Sequence, residues 1–152
     1  FQLYNDPNMD ATKIAHIGIR GPRNHQQEYR NAQKYGATVI PCREIKEEGW
    51  KAAIKKALAV VSKDTEVIYI TICADALDAA YMPQGPQDMG GLTSYELLSM
   101  VHEAALAGAC SLDFVEIYPE NGTLQTASHV GCWLALYFLN GVAERRMKLE
   151  NK

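Results

Sequence analysis

Long hydrophobic runs are missing from this chain. No stretch approaches the roughly 18 consecutive apolar residues that a membrane span requires, so no membrane partner is expected. Basic runs with interleaved aromatics are missing too. With 15 Lys+Arg against 18 Asp+Glu the net charge is −3, which argues against a nucleic-acid surface. Cysteine is sparse, with only 4, at positions 42, 73, 110 and 132 and no pair at CxxC spacing. In a domain this large an internal core makes a disulfide framework unnecessary, and the expectation is four mostly buried thiols in a reducing, cytoplasmic setting. Residue 1 is Phe, and residues 1–11 have neither the basic start nor the apolar stretch of a signal peptide; a fragment or trimmed product is expected. What remains is ordinary: 152 residues, 47% apolar and 22% charged, enough for one domain with one sizeable core.

Apolar periodicity alternates along the chain. Residues 14–20 (IAHIGIR) read as a strand closed by Gly21-Pro22, and 25–35 as an exposed helix stopped by Gly36. Residues 37–41 (ATVIP) are a short β-branched strand. Ile45, Trp50, Ile54, Leu58 and Val61 form one helical stripe over 44–62. Residues 67–73 (VIYITIC) are almost wholly apolar, the pattern of a strand buried on both faces. After a loop rich in Asp, Gly and Pro, Thr93-Ser-Tyr-Glu96 predicts a capping box for a helix that stops at Gly108. Residues 112–118 (LDFVEIY) predict a further strand, Asn121-Gly122 a turn, and about 125–146 a last helix whose wide apolar face predicts packing on more than one side. The resulting β-α-β-α-β-loop-α-β-α order predicts an α/β fold with a parallel sheet between helices.

Ligands of α/β sheets lie beyond the carboxyl ends of the strands. Asp75 and Asp78 leave the end of one predicted strand, and Glu116 lies within the next. Three acids gathered there make a negative hole suited to a hard divalent cation or a guanidinium. The plainer alternative is that Asp75 and Asp78 cap the loop while Glu116 pairs with an Arg. Among the histidines, His16 reads as a strand residue, His102 as a helix-surface residue, and His129 as packed or capped.

These segments have an ordered likeness. Cys73-Ala-Asp75-Ala-Leu-Asp78-Ala79, then Pro83, Gly90-Gly91-Leu92-Thr93, Val115-Glu116-Ile-Tyr-Pro119 and Thr126-Ala127 resemble the second half of the ureohydrolase family (arginase, agmatinase and related amidinohydrolases). His16-Ile-Gly-Ile-Arg20-Gly21 resembles its agmatinase-like branch. The resemblance implies a three-layer α/β/α fold with a mostly parallel sheet, of which this chain is a C-terminal portion, and assembly into trimers or hexamers. It also implies a binuclear Mn²⁺ site, or Ni²⁺ in some members, whose bridging hydroxide attacks a guanidino carbon and releases urea. Carried onto this chain, Asp75 matches a metal ligand, Glu116 the carboxylate that receives the guanidinium, and Asp78 an acid outside the ligand set.

The departures matter as much. Cys73 stands where that family has an acid bridging both metals; a thiolate is soft and offers one donor atom. Ala79 replaces a proline, and Gly122 replaces an acid. The Gly-Gly-Asp-His and Asp-Ala-His-x-Asp segments that supply the family's other ligands are not in the chain. The expectation is a degenerate subunit supporting a catalytic homologue in a mixed oligomer, as in heteromeric guanidine-compound hydrolases of the metformin hydrolase kind. Two alternatives stand beside it. One is that the chain is itself an active binuclear-metal amidinohydrolase whose remaining ligands lie in a missing N-terminal half. The other is a non-catalytic binding or scaffold protein holding a guanidino compound at Glu116.

Overall fold

The computed structural model describes residues 2–22, 24–83, 88–118 and 124–151. The chain divides into two compact units, Phe1–Glu66 and Val67–Lys152. The turn expected at Asn121-Gly122 lies outside the described residues.

In the first unit β1 (Ala15–Ile19) pairs in parallel with β2 (Thr38–Pro41), joined by α1 (Gln26–Tyr35). His25 caps α1, its Nδ1 accepting from the Gln27 amide at 3.2 Å, and Gly36 ends it. The single helix expected over 44–62 is two helices, α2 (Cys42–Glu48) and α3 (Trp50–Val61). The break is Gly49, whose φ of +89° and ψ of 152° no helix contains. Periodicity missed it because the apolar stripe continues across the joint: Ile45 and Ile54 are both buried. Ile40 and Ile45 are fully buried in this unit, each worth roughly 1.5–3 kcal/mol of transfer free energy. The Cys42 thiol is buried as well and donates to the Gly18 carbonyl oxygen at 3.2 Å.

In the second unit β3 (Ile68–Cys73) pairs in parallel with β4 (Ala109–Val115), with Cys73 opposite Val115. A one-turn 3₁₀ helix, Ala74–Ala76, follows β3 directly. Then come α4 (Ser94–Ala107) and, after β4, α5 (Leu124–Glu150). The capping box is present: Thr93 Oγ1 accepts from the Glu96 amide at 3.1 Å, and Glu96 Oε2 from the Thr93 amide at 2.7 Å. Helices α4 and α5 pack closely at Gly141, where a Cβ would lie 2.5 Å from the His102 carbonyl oxygen.

Three expectations need correcting in this unit. β4 runs from Ala109 to Val115 rather than over 112–118, so Glu116 is beyond the strand, not inside it. β3 is not buried on both faces: Ile72 is buried, while Tyr69 is 59% exposed and Thr71 is exposed. The exposed row is polar and self-satisfied, since Tyr69 and Thr71 both donate to the Asp113 carboxylate, Thr71 at 2.6 Å. Finally, α5 is packed along one side only, leaving Trp133, Leu136 and Leu139 more than half exposed. No helix among the described residues is long and apolar enough to cross a membrane.

Candidate functional site

Cys73, Asp75 and Glu116 stand at or just past the ends of two parallel strands. Because β3 and β4 run in the same direction with Cys73 beside Val115, the residues that follow each strand emerge at one edge. Cys73 is half-buried there; its side chain hydrogen-bonds with Asp75 and feels the charge of Glu116. Tyr118 belongs to the same group: its hydroxyl donates to Glu116 Oε2 at 2.6 Å, and it feels the charges of Cys73 and Asp75. Cys73, Asp75 and Glu116 are thus brought together, and Tyr118 joins them.

Asp78 has a different task. Its carboxylate accepts from three backbone amides, those of Ala80 at 2.9 Å, Gly90 at 2.7 Å and Gly91 at 3.1 Å. The chain on either side is zipped by Asp78 N–H to the Leu92 carbonyl and Leu92 N–H to the Ala76 carbonyl, both 2.9 Å. A carboxylate satisfying backbone donors in this way fixes a loop. The loop-capping alternative therefore holds for Asp78.

Glu116 is exposed, with φ at +61°. That left-handed conformation is rare for a residue with a Cβ, and it turns the side chain out of the run of the strand. The partner of Glu116 is a tyrosine and not the arginine of the plainer alternative. Nothing in the sequence pattern signalled this pair, because Glu116 leaves the extended conformation in which residues two apart share a face. The phenol is held above its ordinary pKa, first by that hydrogen bond and then by the charge of Glu116.

Burial, with Asp75 and Glu116 adding to it, pushes the Cys73 thiol up to about 11. The group is a protonated thiol at neutral pH, a weak donor with one sulfur. Among the described residues no three His, Cys, Asp or Glu side chains converge closely enough to hold an ion. At position 73 the donor chemistry does not fit the binuclear divalent centre the resemblance implies: a bridging position needs two oxygen donors, and Cys73 offers a single sulfur.

The histidines do not supply the deficit. His16 Nε2 meets the Tyr4 hydroxyl at 2.6 Å, His25 caps α1, and His102 faces Glu144 at 3.3 Å. His129 is exposed rather than packed. It lines an open cleft of about 420 Å³ between the first turns of α4 and α5, with Leu77, Tyr95, Trp133 and Tyr137. The cleft wall is mostly apolar and carries no acid. The other thiols also differ from expectation: Cys42 is buried, but Cys110 and Cys132 are exposed, and all four are free.

Residues 2–140 match the model of the arginase family. Formimidoylglutamase of Bacillus subtilis is 27% identical over 143 residues, covering 93% of this chain and 45% of that protein. Its crystal structure superposes with a TM-score of 0.83 over 88% of this chain and 42% of that one. The mitochondrial guanidino acid hydrolase of Mus musculus is 28% identical over 73% of this chain and 31% of its own length. A Trypanosoma cruzi formiminoglutamase solved with Mn²⁺ shares the fold at a TM-score of 0.84, with 19% identity over 95% of this chain and 49% of that one. The chain spans under half the length of these relatives, and the fold it shares with them is about half of a complete one.

Proposed function

This chain belongs to the arginase family, and from that premise we propose that it is a degenerate subunit of a guanidino-compound hydrolase. In this reading it assembles with a metal-loaded homologue, or with copies of itself, and does not hold a binuclear centre of its own. The observation that carries the reading is Cys73, a half-buried thiol standing where the resemblance implies an acid that bridges two metals. Burial raises its pKa to about 11, so a divalent ion would have to displace a proton to gain one soft contact. Hard ions such as Mn²⁺ prefer carboxylate oxygen; Ni²⁺ is less averse to sulfur.

What the chain keeps is consistent with a supporting role. Asp75 and Glu116 remain as acids at the carboxyl edge of β3 and β4, Glu116 being the one suited to receive a guanidinium. The unpaired apolar side of α5, with Trp133, Leu136 and Leu139, offers contact area to a protein partner. Four free thiols suit a reducing cytoplasm.

The test is a metal count. The chain purified alone and equilibrated with Mn²⁺ or Ni²⁺ is expected to retain far less than one ion per chain. Co-expressed with a homologue carrying both histidine-aspartate segments, it is expected to elute as a mixed oligomer. Two tightly held ions per chain, with urea released from a guanidino compound, would overturn the proposal in favour of an active amidinohydrolase. Cys73→Asp sharpens the result: a rise in bound metal localises the defect to that position.

A further inference from the structure

The acid that ought to receive a cation already holds a donor from its own chain. Glu116 leaves β4 in the left-handed conformation, and two residues later the Tyr118 hydroxyl donates to its Oε2 at 2.6 Å. That length belongs to the short, charge-assisted O–H···O⁻ class. Both side chains are exposed, so the contact is not forced by a packed core. A guanidinium is best held by two parallel N–H···O bonds, one to each carboxylate oxygen. Here one of those oxygens is engaged by a group tethered two residues away. The phenol competes intramolecularly, while any ligand must be recruited from solution.

We propose that Tyr118 is an internal occupant of Glu116, a latch that weakens the hold of this chain on guanidino compounds. The proposal rests on the reading of Glu116 as the cation-receiving acid. It gives the latch a purpose within that reading: a subunit without its own metal chemistry does not sequester the substrate of a catalytic partner. A ligand that needs a single acceptor, such as a primary ammonium, loses less to the latch than one that needs both oxygens.

Binding of butylguanidinium and of butylammonium to the full chain, followed by NMR titration at neutral pH, tests this. Tyr118→Phe removes only the hydroxyl and keeps the ring, so the fold is expected to melt as before; Tyr118→Leu is the second variant. Either is expected to bind butylguanidinium about tenfold more tightly than the unaltered chain, the scale of one hydrogen bond to a charged group. Butylammonium is expected to gain less, and Glu116→Gln added to Tyr118→Phe to abolish the gain. Unchanged affinity in Tyr118→Phe and Tyr118→Leu, or no saturable binding by them, would overturn the latch. So would a gain that survives Glu116→Gln. Metal content measured on the same samples separates the two ideas: two ions per chain would sink the supporting-subunit reading whatever the tyrosine variants do.

Discussion

β1 and β2 meet α2 and α3 through strands whose residues are all buried or half-buried, and through helices with one apolar side each, where Ile45, Ala53, Ile54 and Ala57 are inside. β3 and β4 have the same parallel pairing and a more apolar sequence, yet they expose a row of Tyr69, Thr71 and Ser111, with half-buried Asp113 completing it. The helix that follows them leaves Trp133, Leu136 and Leu139 in the open. The first unit uses its apolar residues to close a core. The second spends part of them on surfaces and places its acids at the edge where the strands stop. Apolar content therefore reports packing in the first unit and overstates it in the second.

The comparison can be broken where the first unit is tightest. Ile40→Ala removes a fully buried side chain and is expected to lower stability by about 3 kcal/mol, read as a shift of the urea midpoint. A loss under about 1 kcal/mol would mean this core is no tighter than the open ladder beside α4. In the second unit the comparable constraint is a contact between helices. Gly141→Val puts carbon atoms into the space held by the His102 carbonyl and the Ala105 methyl, at 2.5 and 2.8 Å from the first of them. The expected cost is about 2 kcal/mol, and a neutral result would show that α4 and α5 separate easily.

A smaller effect is expected at the start of α4. Thr93→Ala removes the acceptor for the Glu96 amide and should cost about 1 kcal/mol by thermal or urea unfolding. The smallest is a pH dependence in the first unit. Burial holds the His16 pKa below its ordinary value, so the unfolded chain binds the proton more readily than the folded one. Stability from this residue is complete above the unfolded pKa of about 6.5 and is lost as pH falls through it towards the lower folded value. His16→Gln should flatten that part of the urea-midpoint profile between neutral and mildly acidic pH. An unchanged slope would place the dependence elsewhere.

Local chemistry made much of this legible beforehand. The capping box at Thr93 and Glu96, the stop at Gly36 and the parallel order of elements follow from short-range hydrogen bonding and periodicity, and each is where it was expected. The family motifs were legible for the same reason, being runs of contiguous residues. The split at Gly49 was not, because a continuous apolar stripe hides a single backbone angle. Neither was the exposure of Tyr69, since tyrosine suits a buried strand and an exposed one equally well. At the site, the chemical type of Cys73 and Glu116 could be read directly. The loop-fixing task of Asp78 and the tyrosine on Glu116 could not, because both are statements about what lies opposite a side chain.

By itself the sequence determined most of the element types, the family resemblance carried by its motifs, and a cysteine at position 73 where that resemblance implies a bridging acid, since motifs and spacing are properties of neighbours along the chain. Only the tertiary structure decided that Asp78 serves backbone amides, that Cys73 is buried enough to keep its proton, and that Tyr118 rather than an arginine answers Glu116. Those outcomes depend on distance and desolvation in space, which parallel strands ending at one edge create and no one-dimensional pattern contains.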